Sequence, residues 1–290
     1  MPDIRLLSVR LWPGLRFGLP GLKGLNLLST TSNDPANDMK FAIHRYTRPG
    51  QMEAFVRALH PVQADLIRVG PEADGGYLVP DVLDGIVACF SPGVGTCSDF
   101  ELECAERGMV VFLADATVTG PAAEHPNFRF APKYIGGYSD DTTVTLDEWV
   151  SESLAAEGIG SDGDLLLQMD IEGGEFASLI AMSPELLRRF RVLTIEFHFL
   201  AQLAEDPFFA LAASMFGKLL ESHVVVHSHP NNCCLCVGIG GVQVPQVLEL
   251  TFVRRDFDLG TGFATEFPHP LDADNLEHPT VVLPEAWYRA

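Results

Sequence analysis

The chain has 290 residues, 47% hydrophobic and 20% charged, which is ample for one sizeable buried core. Its formal net charge of −20 repels phosphate backbones and argues against a nucleic-acid partner, while leaving room for a small-molecule or glycan substrate in a local pocket. No run reaches the ~18 apolar residues of a membrane-spanning helix, and Cys89, Cys97, Cys104, Cys233, Cys234 and Cys236 are not spaced as a disulfide framework, so reduced thiols and a cytoplasmic setting are expected.

Residues 1–38 carry Arg5, Arg10, Arg16 and Lys23 among recurring prolines and glycines, and charges interrupt the apolar stretches too often for a signal-peptide core. They read either as a flexible basic leader or as the product of an upstream start, with Met39 the alternative first residue. Residues 39–290 then form one domain with a proline-rich, acidic C-terminal tail expected to wrap the surface.

A short helix is expected over Gln51–Leu59, and the polar turn Glu72–Gly76 introduces a strand at Tyr77–Val79. Ile86–Phe90 reads as a buried strand, followed by the turn Ser91–Gly95 and a helix over Ser98–Arg107. Ser98 and Glu101 have capping-box spacing, and Gly108 closes that helix. Met109–Leu113 is a second buried strand, which completes a βαβ unit. Beyond it, helices are expected at Leu146–Ala156, Pro184–Phe190 and Pro207–Leu220. Strands are expected at Asp164–Ile171, Val192–Phe197, His223–His227 and Val247–Val253. Continuous apolar strands alternating with helices predict a Rossmann-like α/β fold: a mostly parallel central sheet, helices on both faces and an antiparallel last strand.

Ligands of open α/β sheets bind beyond the carboxyl ends of the strands. Ser91, Gly93 and Gly95 follow the first strand, where glycines let backbone approach a ligand closely. Asp115 follows the second, placed to accept hydrogen bonds from ribose hydroxyls, so a nucleoside is the expected ligand. A dinucleotide fingerprint would need a third glycine where Ser98 stands, and neither a P-loop string nor a Tyr-x-x-x-Lys pair occurs. An NAD-dependent oxidoreductase or epimerase is therefore the rival reading, and a non-catalytic relic of the fold a second one.

The segment Leu165–Phe176, LLLQMDIEGGEF, sets Asp170, Glu172 and Glu175 at a strand end, where three carboxylates call for a cation, a proton or donors. Glu175 has a simpler explanation as a helix N-terminal acid. Two further strand ends hold Glu196 and His198 on one face, then His227, His229, Asn231 and Asn232, all expected on the substrate rim. A zinc site of His227, His229, Cys233, Cys234 and Cys236 is disfavoured, because the paired ligand knuckles of structural zinc sites are absent.

MDIEGGEF resembles the strand-end signature of FkbM-type methyltransferases. GPEADGGYLVP, FSPGVG, SDFELECAERG, TLDEW and VLELTFVRRD also resemble one branch of that family, so the similarity spans Val69–Asp256. The resemblance implies S-adenosyl-L-methionine as cofactor and an oxygen acceptor such as a sugar hydroxyl in a glycan or glycosylated metabolite. Ser91, Gly93 and Gly95 would approach the methionine and ribose parts, Asp115 with Ala116 would hold the ribose, and Asp170 and Glu172 would lie beside the methionine end. The acid that usually opens the glycine turn is missing here. Asp170, His198 and His229 are the expected acceptor-activating residues. The competing version has Asp170, Glu172 and Glu196 hold Mg²⁺.

Overall fold

The apolar runs at the first two buried strands and at residues 165 and 192 onward do form the middle of one sheet. In chain order the elements are α1 (Pro49–Ala58), β1 (Leu66–Val69), β2 (Tyr77–Pro80), β3 (Ala88–Pro92), α2 (Asp99–Glu106), β4 (Val110–Ala114), β5 (Phe128–Ala131), β6 (Tyr134–Ile135), β7 (Thr143–Val144) and α3 (Leu146–Ala156). They continue with β8 (Leu165–Met169), α4 (Glu175–Ala181), α5 (Pro184–Leu187), β9 (Phe190–Phe197), α6 (Asp206–Ser222), β10 (His223–Pro230), β11 (Val237–Ile239), β12 (Val242–Val244) and β13 (Leu248–Arg254). This computed structural model describes residues 45–257, 259 and 262–289, so the expected leader 1–38 lies outside the described residues. Everything below concerns the unit Thr47–Ala290.

The main sheet has seven strands in the order β10-β13-β9-β8-β3-β4-β5. β9, β8, β3, β4 and β5 run parallel, and β13 is antiparallel to both its neighbours, β9 and β10. It is the mixed α/β, mostly parallel arrangement that the strand–helix alternation calls for.

Side chains alternate between the two faces of each strand. Phe90, Phe112, Leu165, Leu167, Leu193, Ile195, Phe197, Leu250 and Phe252 point to one face, where α1, α3, α4 and α6 cover them. α6 reaches that core through Phe209, Ala212, Phe216 and Leu219, spaced at three and four residues. α3 starts at Thr145, whose Oγ1 accepts from the Glu148 N–H at 3.4 Å, and Asp147 and Glu148 face the positive end of its dipole.

The other face carries Cys89, Val111, Leu166, Val192, Val226 and Val253, covered by Phe100 and Cys104 of α2 and by Val69, Tyr77 and Val79 of the β1–β2 hairpin. Farther along the same strands this face turns polar. One row runs from Ser91 through Gln168, Thr194 and Thr251 to His227; the next holds Glu196, Glu249 and His229 as successive cross-strand partners. Thr251 Oγ1 donates to the Leu78 carbonyl at 2.7 Å, which satisfies it under the hairpin.

Three expectations need correction. The helix expected at Pro184–Phe190 is only the four-residue α5, because Phe190 and the arginine after it already belong to β9. Ser98 makes no side-chain cap; its Oγ accepts from the Ala122 N–H at 3.1 Å, and Glu101 turns inward. The tail does not merely wrap the surface: Leu283, Trp287 and Tyr288 are core residues, with Trp287 Nε1 donating to the Gln243 carbonyl at 2.9 Å.

Candidate active site

The turn after β3 and the acid after β4 stand side by side. Asp115 Oδ2 accepts from the Val94 N–H at 3.0 Å, and its Oδ1 accepts from Thr117 N and Oγ1, both at 2.6 Å. Asp115 and Ala116 are half-buried, so this face stays accessible. Gly93 has φ +92°, and a Cβ there would lie 1.5 Å from the Asp170 carbonyl oxygen. Only glycine lets the β3 and β8 ends approach this closely. Gly95 is exposed, and a Cβ there would meet nothing within 4 Å, so open space adjoins Asp115.

Ser91 does not share that opening. Its Oγ is fully buried, 2.5 Å from Glu101 Oε1 and 2.6 Å from Gln168 Oε1. One hydroxyl proton cannot serve two acceptors. Burial raises the Glu101 carboxyl, and the hydrogen bond with Ser91 opposes that rise. The Ser91 side chain therefore braces the turn from beneath, held between Glu101 and Gln168.

At the ends of β8 and β9 four carboxylates surround one imidazole. His198 Nδ1 lies 3.2 Å from Glu175 Oε1, which also accepts from the N–H groups of Ile171 and Gly173 at 3.1 Å each. His198 Nε2 lies 3.4 Å from Glu172, 3.8 Å from Asp170 and 3.9 Å from Glu196. Burial lowers the His198 pKa, but the hydrogen bond and charge of Glu175, with the charges of Asp170 and Glu172, outweigh it and leave it raised. Burial pushes Asp170 up to about 6, His198 opposing and Glu172 and Glu175 reinforcing the rise. Its Oδ1 is buried without a hydrogen bond. Glu196 is pushed up to about 10 by burial and by the charge of Glu249, and it accepts from Asn231 Nδ2 at 2.8 Å, so it is neutral near pH 7.

The turn between Asp170 and α4 is unusual in its backbone. Glu172 has φ +53° and Gly173 φ +104°, and a Cβ on Gly173 would lie 2.3 Å from the Phe199 ring. A non-glycine residue in the left-handed region costs on the order of 1–3 kcal/mol and marks a position held by its surroundings. Here the turn brings the exposed Glu172 carboxylate back over His198.

Residues 93–222 match the methyltransferase FkbM domain. This stretch is similar to FkbM methyltransferase domains. No curated protein matches the chain. The matched FkbM segment includes the glycine turn, Asp115, the Asp170–Glu175 turn and His198, and it ends before His227, His229 and the tail.

Among the expected residues, Asp170, Glu172, Glu196 and His198 meet in one group, and Gly93, Gly95, Asp115 and Ala116 form the neighbouring opening. His229 joins neither: it faces Asp272 of the tail, its Nδ1 3.5 Å from Oδ2. The trio expected for Mg²⁺ is not the set whose ligand atoms all lie within 4.8 Å of one another. Asp170, Glu175 and His198 have the ligand atoms that converge, while the Glu172 carboxylate is 84% exposed and Glu196 is occupied by Asn231. Sequence reasoning missed Glu175 as the partner of His198. Its position at the helix start was explained without the imidazole, and 23 residues separate the two in the chain. All six cysteines are free, and no helix among the described residues is long and apolar enough to cross a membrane.

Proposed function

We propose that the chain is an S-adenosylmethionine-dependent O-methyltransferase acting on a hydroxyl of a sugar or glycosylated small molecule. The observation that carries this reading is the Glu175–His198 pair at the strand ends of an FkbM domain, with Nε2 facing the rim. The cofactor fits the residues present: Gly95 adjoins open space, the Asp115 carboxylate is half-exposed with three of about four acceptor positions taken, and Asp170 Oδ1 makes no hydrogen bond. In this reading Asp115 holds the ribose, with Ala116 beside it, and Gly93 and Gly95 keep side chains out of the cofactor's path. When bound, S-adenosylmethionine supplies a methyl group on an electrophilic sulfonium.

A sugar hydroxyl is a very weak acid, so its proton must leave as the new bond forms. Glu175 accepts from His198 Nδ1–H and so fixes the tautomer whose Nε2 lone pair faces the rim. His198 Nε2 takes the acceptor's proton, and Asp170, Glu172 and Glu175 stabilise the imidazolium that results. Glu196, held neutral, offers a hydrogen bond to an acceptor hydroxyl rather than a charge. This chemistry is metal-free. The test combines melting shifts with turnover on a panel of sugar acceptors. S-adenosylhomocysteine should raise the melting temperature, Asp115→Ala should remove most of that rise, and chelator should leave turnover unchanged. A rise with NAD and none with S-adenosylhomocysteine would overturn the assignment.

A further inference from the structure

A second constellation lies outside the matched FkbM segment and takes no part in the proposed chemistry. His227 and His229 sit on β10, and Asp272 comes from the tail. The two histidines share a face with Thr251 and Glu249 because the β10–β13 register slips between Val225 and His227. Val225 pairs with Phe252 on the apolar face, and without the slip His227 would follow it there.

We propose that His227, His229 and Asp272 form a site for one divalent transition-metal ion of the Zn²⁺ class, which fastens the tail to the edge of the sheet. His227 Nε2 lies 2.8 Å from Asp272 Oδ1 and His229 Nδ1 lies 3.5 Å from Oδ2, and a ligand atom of each residue lies within 4.8 Å of the others. Tetrahedral zinc with bonds of about 2.0–2.1 Å sets its donors roughly 3.3 Å apart, so small side-chain shifts admit the ion. Two imidazoles and one carboxylate suit zinc and its neighbours; Mg²⁺ and Ca²⁺ prefer all-oxygen shells.

The surroundings fit an outer shell. Asp272 Oδ2 also accepts from the His269 N–H at 2.7 Å, which fixes the carboxylate. His229 Nε2 is buried with no partner, and directly across from His229 on β13 stands the buried Glu249, the kind of carboxylate that orients a ligating imidazole. Arg68 is the nearby cation, but its guanidinium is spent on the carbonyls of Pro71, Ala73, Gly76 and Leu271. A cavity of about 370 Å³, lined in part by His227, His269 and Phe267, adjoins the cluster and gives a path for the ion and room for a water as fourth ligand. The cysteines that sequence spacing set beside these histidines do not join them; Cys233 and Cys234 lie against each other instead, their Sγ atoms 3.1 Å apart.

The experiment uses the full chain, stripped with a chelator and titrated with Zn²⁺ and separately with Co²⁺. We expect one equivalent bound, and a melting temperature about 5 °C or more higher at a hundredfold excess over the dissociation constant. The Co²⁺ form should show d–d bands without a thiolate charge-transfer band. His227→Gln, His229→Gln and Asp272→Asn should each remove the bound equivalent, and the triple change of Cys233, Cys234 and Cys236 to serine should keep it. A thiolate band in the wild-type Co²⁺ form overturns the proposal whatever the variants do. So does the absence of a saturable equivalent, or binding that survives in folded His227→Gln and His229→Gln proteins. This outcome is independent of methyl transfer, because none of the three residues takes part in the proposed chemistry.

Discussion

The two faces of the main sheet are built from the same strands and do different work. One is apolar along its whole length, with Phe90 stacked on Phe112 at 4.8 Å and met edge-on by Trp149. The other is apolar at one end and then turns to hydroxyls, amides, carboxylates and imidazoles under a hairpin and a tail. Alternation alone makes this division possible: a strand exposes every second side chain to each side, so one face can hold the fold together while the other is released for chemistry. The difference teaches that the polar face is tolerated because its groups are partnered across strands or held neutral, as Glu196 is by burial.

The comparison breaks most directly at the apolar face. Phe90→Ala removes a fully buried ring and should cost about 3–5 kcal/mol in urea unfolding. A loss comparable to that of a surface substitution would mean that stability does not reside there.

The next effect is catalytic. His198→Ala should lower turnover roughly a hundredfold or more while the melting temperature and the S-adenosylhomocysteine shift persist. Glu175→Gln sharpens the point. Glu175 raises the His198 pKa, so removing its charge should move the rise of the rate with pH to lower pH. A pH profile unmoved by Glu175→Gln would separate the rate from His198.

Stability should also depend on pH through the polar face. Asp170, Glu249 and Glu196 are pushed up to about 6, about 7 and about 10, each first of all by burial. Between their unfolded values and these folded values the native state binds more protons than the unfolded chain, so stability falls as pH rises through that window. A progressive loss from pH 6 to pH 9 is expected. Glu196→Gln, which mimics the neutral acid, should flatten it. A stability that rises over this range would reverse the picture of neutral buried carboxyls.

The smallest effect should come from Thr194→Val. Thr251 keeps its bond to the Leu78 carbonyl and loses only a 3.3 Å contact with Thr194, so the change should stay under about 1 kcal/mol. A larger loss would give the hydroxyl row a share in holding the sheet.

The sequence by itself determined the parallel core and which polar residues stand at its strand ends. The apolar residues within Leu165–Met169 and Val192–Phe197 need no knowledge of a partner to be buried, and Leu146–Ala156 begins and ends where its local signals say. The acids after β8 and the glycine turn after β3 were likewise legible, because ligand sites in such sheets lie at strand ends. What only the tertiary structure decided are relations between distant residues. The edge strand β5 is only four residues long, and its Phe128–Phe130 alternation was too short to stand out. Glu101 turned from a capping position to Ser91, and Glu175 found His198 across 23 residues. The slip in β10 turned His227 toward Asp272, 45 residues farther along the chain. Local periodicity is set by a few consecutive residues, whereas the register of a bulged strand and the resting place of a tail depend on which buried polar groups elsewhere still need a partner.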